Sequence, residues 1–179
     1  MKKFQSGLTL VELMITVVVV AVLASLAVPS MRTMLVKRSV EAAADALVSD
    51  LRFARSEAVK RSARVVVCGS SNGTSCFGTG ALWKDGWIIY VPSLANGNFT
   101  AGDEIVRVQS AFSSIEAIAD SDGTSRYRFI FEPTGSAKSS SQTFFITPTG
   151  TIPAGSTRIV CVSNNGRAGI KPQGSTSCS

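Results

Sequence analysis

The chain has 179 residues, 45% hydrophobic and 17% charged, enough for one ordinary domain or a long element plus a modest domain, and neither disordered nor collagen-like. A formal net charge of +6 admits nucleic acid or an anionic membrane surface as partner and proves neither. The absence of histidine removes the Ser-His-Asp and Cys-His nucleophile systems and the common His-ligand metal sites, and no cofactor is implied.

The chain opens Met1-Lys2-Lys3-Phe4-Gln5-Ser6-Gly7 and continues into an apolar run. Between residues 8 and 28 the only charge is Glu12. As a helix this stretch spans about 31 Å, the thickness of a bilayer's hydrocarbon layer. It can therefore cross a membrane, with Lys2 and Lys3 holding its N-terminal side in the cytoplasm. A cleaved secretory signal and a plain anchor both fit the apolar run, with Ala24-Ser25-Leu26-Ala27 as a stretched cleavage site. Neither explains Glu12. A carboxylate in an apolar segment costs about 2.5–3.5 kcal/mol on insertion scales and needs a partner.

Gly7-Leu8-Thr9-Leu10-Val11-Glu12-Leu13 resembles the processing site of type IV prepilins and pseudopilins. The resemblance implies that residues 1–7 are a leader, cut between Gly7 and Leu8 by a membrane peptidase that also methylates the new N-terminus at Leu8. The family usually has Phe at that position. It further implies that Glu12 of one subunit meets the N-terminal amine of Leu8 on a neighbour. A buried charge persists only when paired, which agrees.

Pro29 follows, where a proline removes one backbone bond and kinks a helix. Beyond it Val40, Ala44, Leu47, Leu51, Ala54 and Ala58 recur in steps of three and four, one apolar helical stripe. The other faces carry Arg32, Lys37, Arg38, Glu41, Asp45, Asp50, Arg52, Arg55, Glu57, Lys60 and Arg61, read as a solvated face. One helix is expected over residues 8–61, about 80 Å long, with residues 8–28 transmembrane. The run Ala54-Arg55-Ser56-Glu57-Ala58-Val59-Lys60-Arg61 is similar to the signature of minor pilins of the FimT and FimU type, shared by the type II secretion pseudopilin GspH. Read as residues alone, Arg55 and Glu57 could simply cap and pair at the helix end.

From Arg64 the pattern changes to short β-rich runs, at residues 65–68, 87–91, 105–108, 127–131, 144–147 and 159–162. Turn pairs separate them: Asn72-Gly73, Asp85-Gly86, Asn96-Gly97, Asp122-Gly123 and Thr134-Gly135. Residues 62–179 are thus expected to form a β-rich head of antiparallel sheets or a sandwich, and the chain an α+β fold with the helix packed on it. Residues 139–157 fit either an ordered hairpin or a loop. Asp85-Gly86-Trp87-Ile88-Ile89-Tyr90-Val91 and Phe131-Glu132-Pro133-Thr134-Gly135 resemble head motifs of the same family, so the likeness covers most of the chain. Asn96-Gly97-Asn98 with Asp103 and Glu104 has the outline of a calcium loop, but its first half offers amides instead of acids and reads as a hairpin turn.

The four cysteines of an export-bound chain suggest disulfides and allow three connectivities. Spacing favours Cys68–Cys76 and Cys161–Cys178. A four-thiolate zinc site is the rival, without the usual C-x₂-C spacing. The last acidic residue is Glu132, so residues 133–179 carry only positive charge. Asn164, Asn165, Gly166, Arg167 and Lys171 lie in a polar stretch read as a loop held between Cys161 and Cys178. Amides, Asn side chains and a guanidinium suit phosphate, which makes these five residues candidate contacts to double-stranded DNA. Some FimT-like pilins bind DNA through a C-terminal Gly-Arg-x-Arg motif. Here Gly166-Arg167-Ala168-Gly169 lacks the second arginine, and Lys171 is the nearest substitute. No aromatic residue in the tail supports stacking on single strands.

The resemblance implies a minor pilin: a single-pass inner-membrane precursor with a periplasmic head, packed by its N-terminal helix into a pilus. It would prime assembly or sit at the tip, and its partners would be other pilins, the prepilin peptidase and the assembly machinery. A DNA receptor for natural transformation and a type II secretion pseudopilin are the alternatives. The residues offer no phosphate loop, no convergent acid pair and no usefully placed Ser-x-x-Lys for an enzyme.

Overall fold

A computed structural model describes residues 9–77, 83–120, 128–138, 141–150, 155–172 and 174–178. The chain divides into two compact units, Met1–Leu35 and Val36–Ser179. Helix α1 covers Leu10–Arg61 and continues through position 29.

In the first unit, α1 starts one residue after Thr9, whose hydroxyl accepts the Glu12 backbone N–H at 3.2 Å. A threonine at this N-cap satisfies one of the donors a helix start leaves over. The apolar side chains that follow are exposed, from Leu10 at 75% to Val18 at 62% and Leu23 at 62%. The segment is long and apolar enough to cross a membrane.

In the second unit the same helix is buried along one stripe. Val40, Ala44, Leu47, Leu51, Ala54 and Ala58 are fully covered, joined by Ala43 and Val48. They pack against two four-stranded antiparallel sheets. β1 (Val65–Gly69), β2 (Gly86–Val91), β3 (Glu104–Ser110) and β5 (Arg128–Phe131) form the first, in the order β3-β2-β1-β5. β4 (Ile115–Asp120), β6 (Gln142–Pro148), β7 (Arg158–Val162) and β8 (Ala168–Ile170) form the second, in the order β4-β6-β7-β8. The six expected strands are present, with residue 127 outside the described residues. β4 and β8 are additions. The residues read as a tail loop in fact contain β8, which pairs with β7 through Cys161 opposite Gly169.

One core draws on the helix and both sheets, with Trp83, Trp87, Phe129, Phe131 and Phe144 at its aromatic centre. A second cluster of Val66, Cys68, Ile88, Tyr90 and Ile130 covers the other face of the first sheet, under Cys76 and Phe99. This explains why β1 is buried on both faces, with no polar alternation in its sequence. It also explains the short disulfide between Cys68 and Cys76, which ties the loop after β1 over that second cluster. Cys161 and Cys178 form the other bond, fixing the residues after β8 to β7. In the chain-entropy model a loop of this length contributes about 3 kcal/mol.

Candidate functional site

Glu12 is exposed, and its carboxylate has no side-chain partner among the described residues. An unpaired carboxylate on an exposed apolar surface is stable only where water or a cation can reach it. Gly7 and Leu8 lie outside the described residues.

In the head, the charges expected on a solvated helix face divide into two sets. Asp50 is 5% exposed and Glu57 is 8% exposed, so both are buried, against the expectation. Asp50 accepts the Trp87 indole N–H at 2.8 Å and an Arg107 guanidinium N–H at 2.7 Å. Arg107 in turn lies 3.9 Å over the Phe53 ring. A buried carboxylate needs such partners, and helix periodicity alone does not reveal them. Glu57 accepts Arg61 at 2.7 Å, and Arg61 also donates to both oxygens of Glu104 at 2.7 and 3.1 Å. The Arg61 guanidinium holds the Glu57 carboxyl below the usual carboxylate range despite burial. Glu104 and Glu57 together push Arg61 above its ordinary value.

Asp103 and Glu104, the two acids beside the Asn96-Gly97-Asn98 turn, are engaged internally. Asp103 accepts bonds from the Ser93 amide and hydroxyl at 2.8 and 2.7 Å, and from the Thr100 amide and hydroxyl, both at 2.8 Å. Burial pushes the Asp103 carboxyl up, and these four bonds more than offset it, leaving it below its ordinary range.

Arg52 fastens the helix to the start of β8, and Arg55 fastens it to the loop after β5. Arg52 donates from Nε and Nη2 to the Ala168 carbonyl at 3.1 and 3.0 Å. Arg55 donates from Nε to the Gly135 carbonyl at 2.9 Å. Gly135 and Gly166 both hold positive φ, at 79° and 71°. A Cβ on Gly166 would stand 2.2 Å from the Gly135 oxygen. The Ala-Arg-Ser-Glu signature and the Pro-Thr-Gly motif therefore meet at one point, where only glycine admits the loop.

The structure changes the list of candidate DNA contacts. Gly166 is buried, and its amide donates to the Ser163 carbonyl at 2.8 Å. The Arg167 amide donates to the Ser163 hydroxyl at 3.3 Å. The backbone carbonyl of Asn164 accepts the Ala137 amide, and its side chain accepts Ser141. No ring of free amides is left for a phosphate, because the stretch is the turn of the β7–β8 hairpin. Arg167 and Asn165 remain exposed, and Lys171 is half-buried. These three line an open groove of about 480 Å³ with Ser163 and Gly169.

A family model described as Type II transport protein GspH matches residues 43–166. The chain belongs to the GspH family. A second model, the prokaryotic N-terminal methylation motif, matches residues 2–28. Two crystal structures of the type IV minor pilin FimU from Pseudomonas aeruginosa are similar in fold. One has a TM-score of 0.59 at 21% identity, over 79% of this chain and 96% of that one. The second crystal form has a TM-score of 0.57 at 22% identity, over 78% and 99%. No curated protein matches by sequence. The GspH family consists of pilin-like structural subunits, so this member is a pilin-like structural protein and not an enzyme. Its methylation motif implies the prepilin peptidase as a partner, and its family implies assembly with other pilins. The apolar helix fits membrane anchoring before that assembly.

Proposed function

We propose that the chain is a minor type IV pilin whose N-terminal helix packs into a pilus, where the subunit primes assembly or sits at the tip. The precursor crosses the inner membrane once, with its head in the periplasm. Residues 1–7 are removed after Gly7, and Leu8 becomes the methylated N-terminus. Glu12 then pairs with the Leu8 amine of a neighbour and sets the axial register.

The observation that carries this reading is the exposed apolar surface of residues 10–25 around one carboxylate that has no side-chain partner among the described residues. Such a surface is unstable in water, and a bundle of like helices would bury it. Removing one partner of a desolvated ion pair costs about 3–5 kcal/mol. Glu12→Ala is therefore expected to be processed to normal length yet largely lost from sheared filaments. Normal recovery of the variant in filaments would overturn the pairing.

The family description favours a second destination, a type II secretion pseudopilus, which the same helix would serve. The groove beside Arg167 and Lys171, in a stretch without acids after Glu132, supports a third role as DNA receptor in natural transformation.

A further inference from the structure

A second groove, of about 420 Å³, runs along the outer face of α1 and is lined by Arg52, Arg55, Ser56, Val59 and Lys60. One hydrogen bond links their linings: Arg52, which lines this groove, donates to the carbonyl of Ala168, which lines the groove beside Arg167. Arg55 and Gly166 also touch there, with the Arg55 Nε 3.3 Å from a Cβ placed on Gly166.

Along this path the lining charges are Arg52, Arg55, Lys60, Arg167 and Lys171, with no acid among the lining residues. Glu57 lies close by on the helix, buried and bonded to Arg61 at 2.7 Å, with a longer contact of 3.5 Å to Lys60, whose side chain stays largely exposed.

The two helix arginines are already oriented. Arg52 commits Nε and Nη2 to one carbonyl, and Arg55 commits only Nε. Neither terminal nitrogen of Arg55 bonds to another described residue. A guanidinium held by its inner edge presents its outer N–H groups with little further loss of rotamer freedom. That arrangement suits bidentate contact to a phosphate. Val59 and the arginine stems give the groove an apolar floor, and its lining holds no aromatic ring for base stacking.

We infer that the α1 face of Arg52, Arg55 and Lys60 is a phosphate-binding half of a two-part cleft. It would hold the backbone of duplex DNA together with Arg167 and Lys171. This rests on the DNA reading above and extends it to the helix.

The test uses the full chain in non-ionic detergent, titrated with duplex DNA at about 50 and 200 mM salt. Arg52 and Arg55 also hold β8 and the Gly135 loop, so the probes are Ser56→Glu and Lys60→Gln, which leave the bonds to both carbonyls in place. Ser56 is exposed, and its hydroxyl donates only to the Phe53 carbonyl. Ser56→Glu is expected to weaken binding about tenfold at low salt, the scale of one or two lost phosphate contacts. Lys60→Gln should lower the salt slope by about 0.9. Arg167→Ala reports on the hairpin half separately.

Binding lost in Arg167→Ala but unchanged in Ser56→Glu and Lys60→Gln overturns the helix half and leaves the hairpin reading standing. No binding by the unaltered chain at low salt overturns both. Unchanged circular dichroism of the variants shows that the losses are local.

Discussion

The two ends of α1 differ in apolar pattern and meet opposite fates. Val18 in the first unit is 62% exposed, and Leu51 in the second is fully buried. The difference lies in what each segment is given to pack on. The second half has charges at intervals, so its apolar residues form a stripe that two sheets cover. The first half has apolar residues on every face, and no single sheet could cover them. A helix that is hydrophobic all round belongs inside a membrane or a bundle. The chain thus completes its own core from Val40 onward and leaves the rest for lipid or for other subunits.

The sharpest way to break this comparison is to truncate the same kind of side chain in both halves. Leu51→Ala should destabilise the head by about 2–5 kcal/mol, the usual cost of such a cavity. Val18→Ala should leave the head's denaturant midpoint unchanged in detergent. A comparable loss from Val18→Ala would mean that the first half also supports the head.

A smaller effect is expected at the junction of the two family motifs. Gly166→Ala forces an alanine into φ +71° and sets its Cβ 2.2 Å from the Gly135 oxygen. The left-handed backbone alone costs about 1–2 kcal/mol, and the clash adds to it. Gly150 provides the control, with φ +82° and nothing within 4 Å of a Cβ. Gly150→Ala should show the backbone cost alone. Equal losses at the two sites, read from thermal unfolding, would mean that the loop carrying Gly135 moves aside freely.

Much of this architecture was legible in the residues, for identifiable reasons. The stripe from Val40 to Ala58 follows strict helical spacing, and every member is buried. Strands rich in Val, Ile and Phe declared themselves. β4 did not, because Ile115-Glu116-Ala117-Ile118-Ala119-Asp120 mixes weak strand formers with acids. β8 did not, because Ala168-Gly169-Ile170 has little preference of its own and is a strand by pairing with β7. The partners of the helix charges were hidden for a different reason. Asp50 meets Trp87 and Arg107 across 37 and 57 positions of sequence, and Arg52 meets Ala168 across 116. Local periodicity assigns a face to a residue, and it carries no information about a carbonyl that distant.

The smallest expected effect concerns acid. In the first unit, the carboxylate of Glu12 has no side-chain partner among the described residues, whereas the head holds Asp103 through four hydrogen bonds. Those bonds depress the Asp103 carboxyl in the folded state, so the unfolded chain takes up its proton at a higher pH than the folded one. Their contribution is complete above the unfolded value of about 3.9 and is lost as the pH falls through the lower folded value. Thermal unfolding of the head should therefore shift to lower temperature between about pH 5 and pH 3, and less steeply in Asp103→Asn. Glu57, also depressed, acts in the same direction and should keep some acid sensitivity in that variant. Parallel curves for the two proteins would mean that the Ser93 and Thr100 bonds favour the charged carboxyl no more than water does.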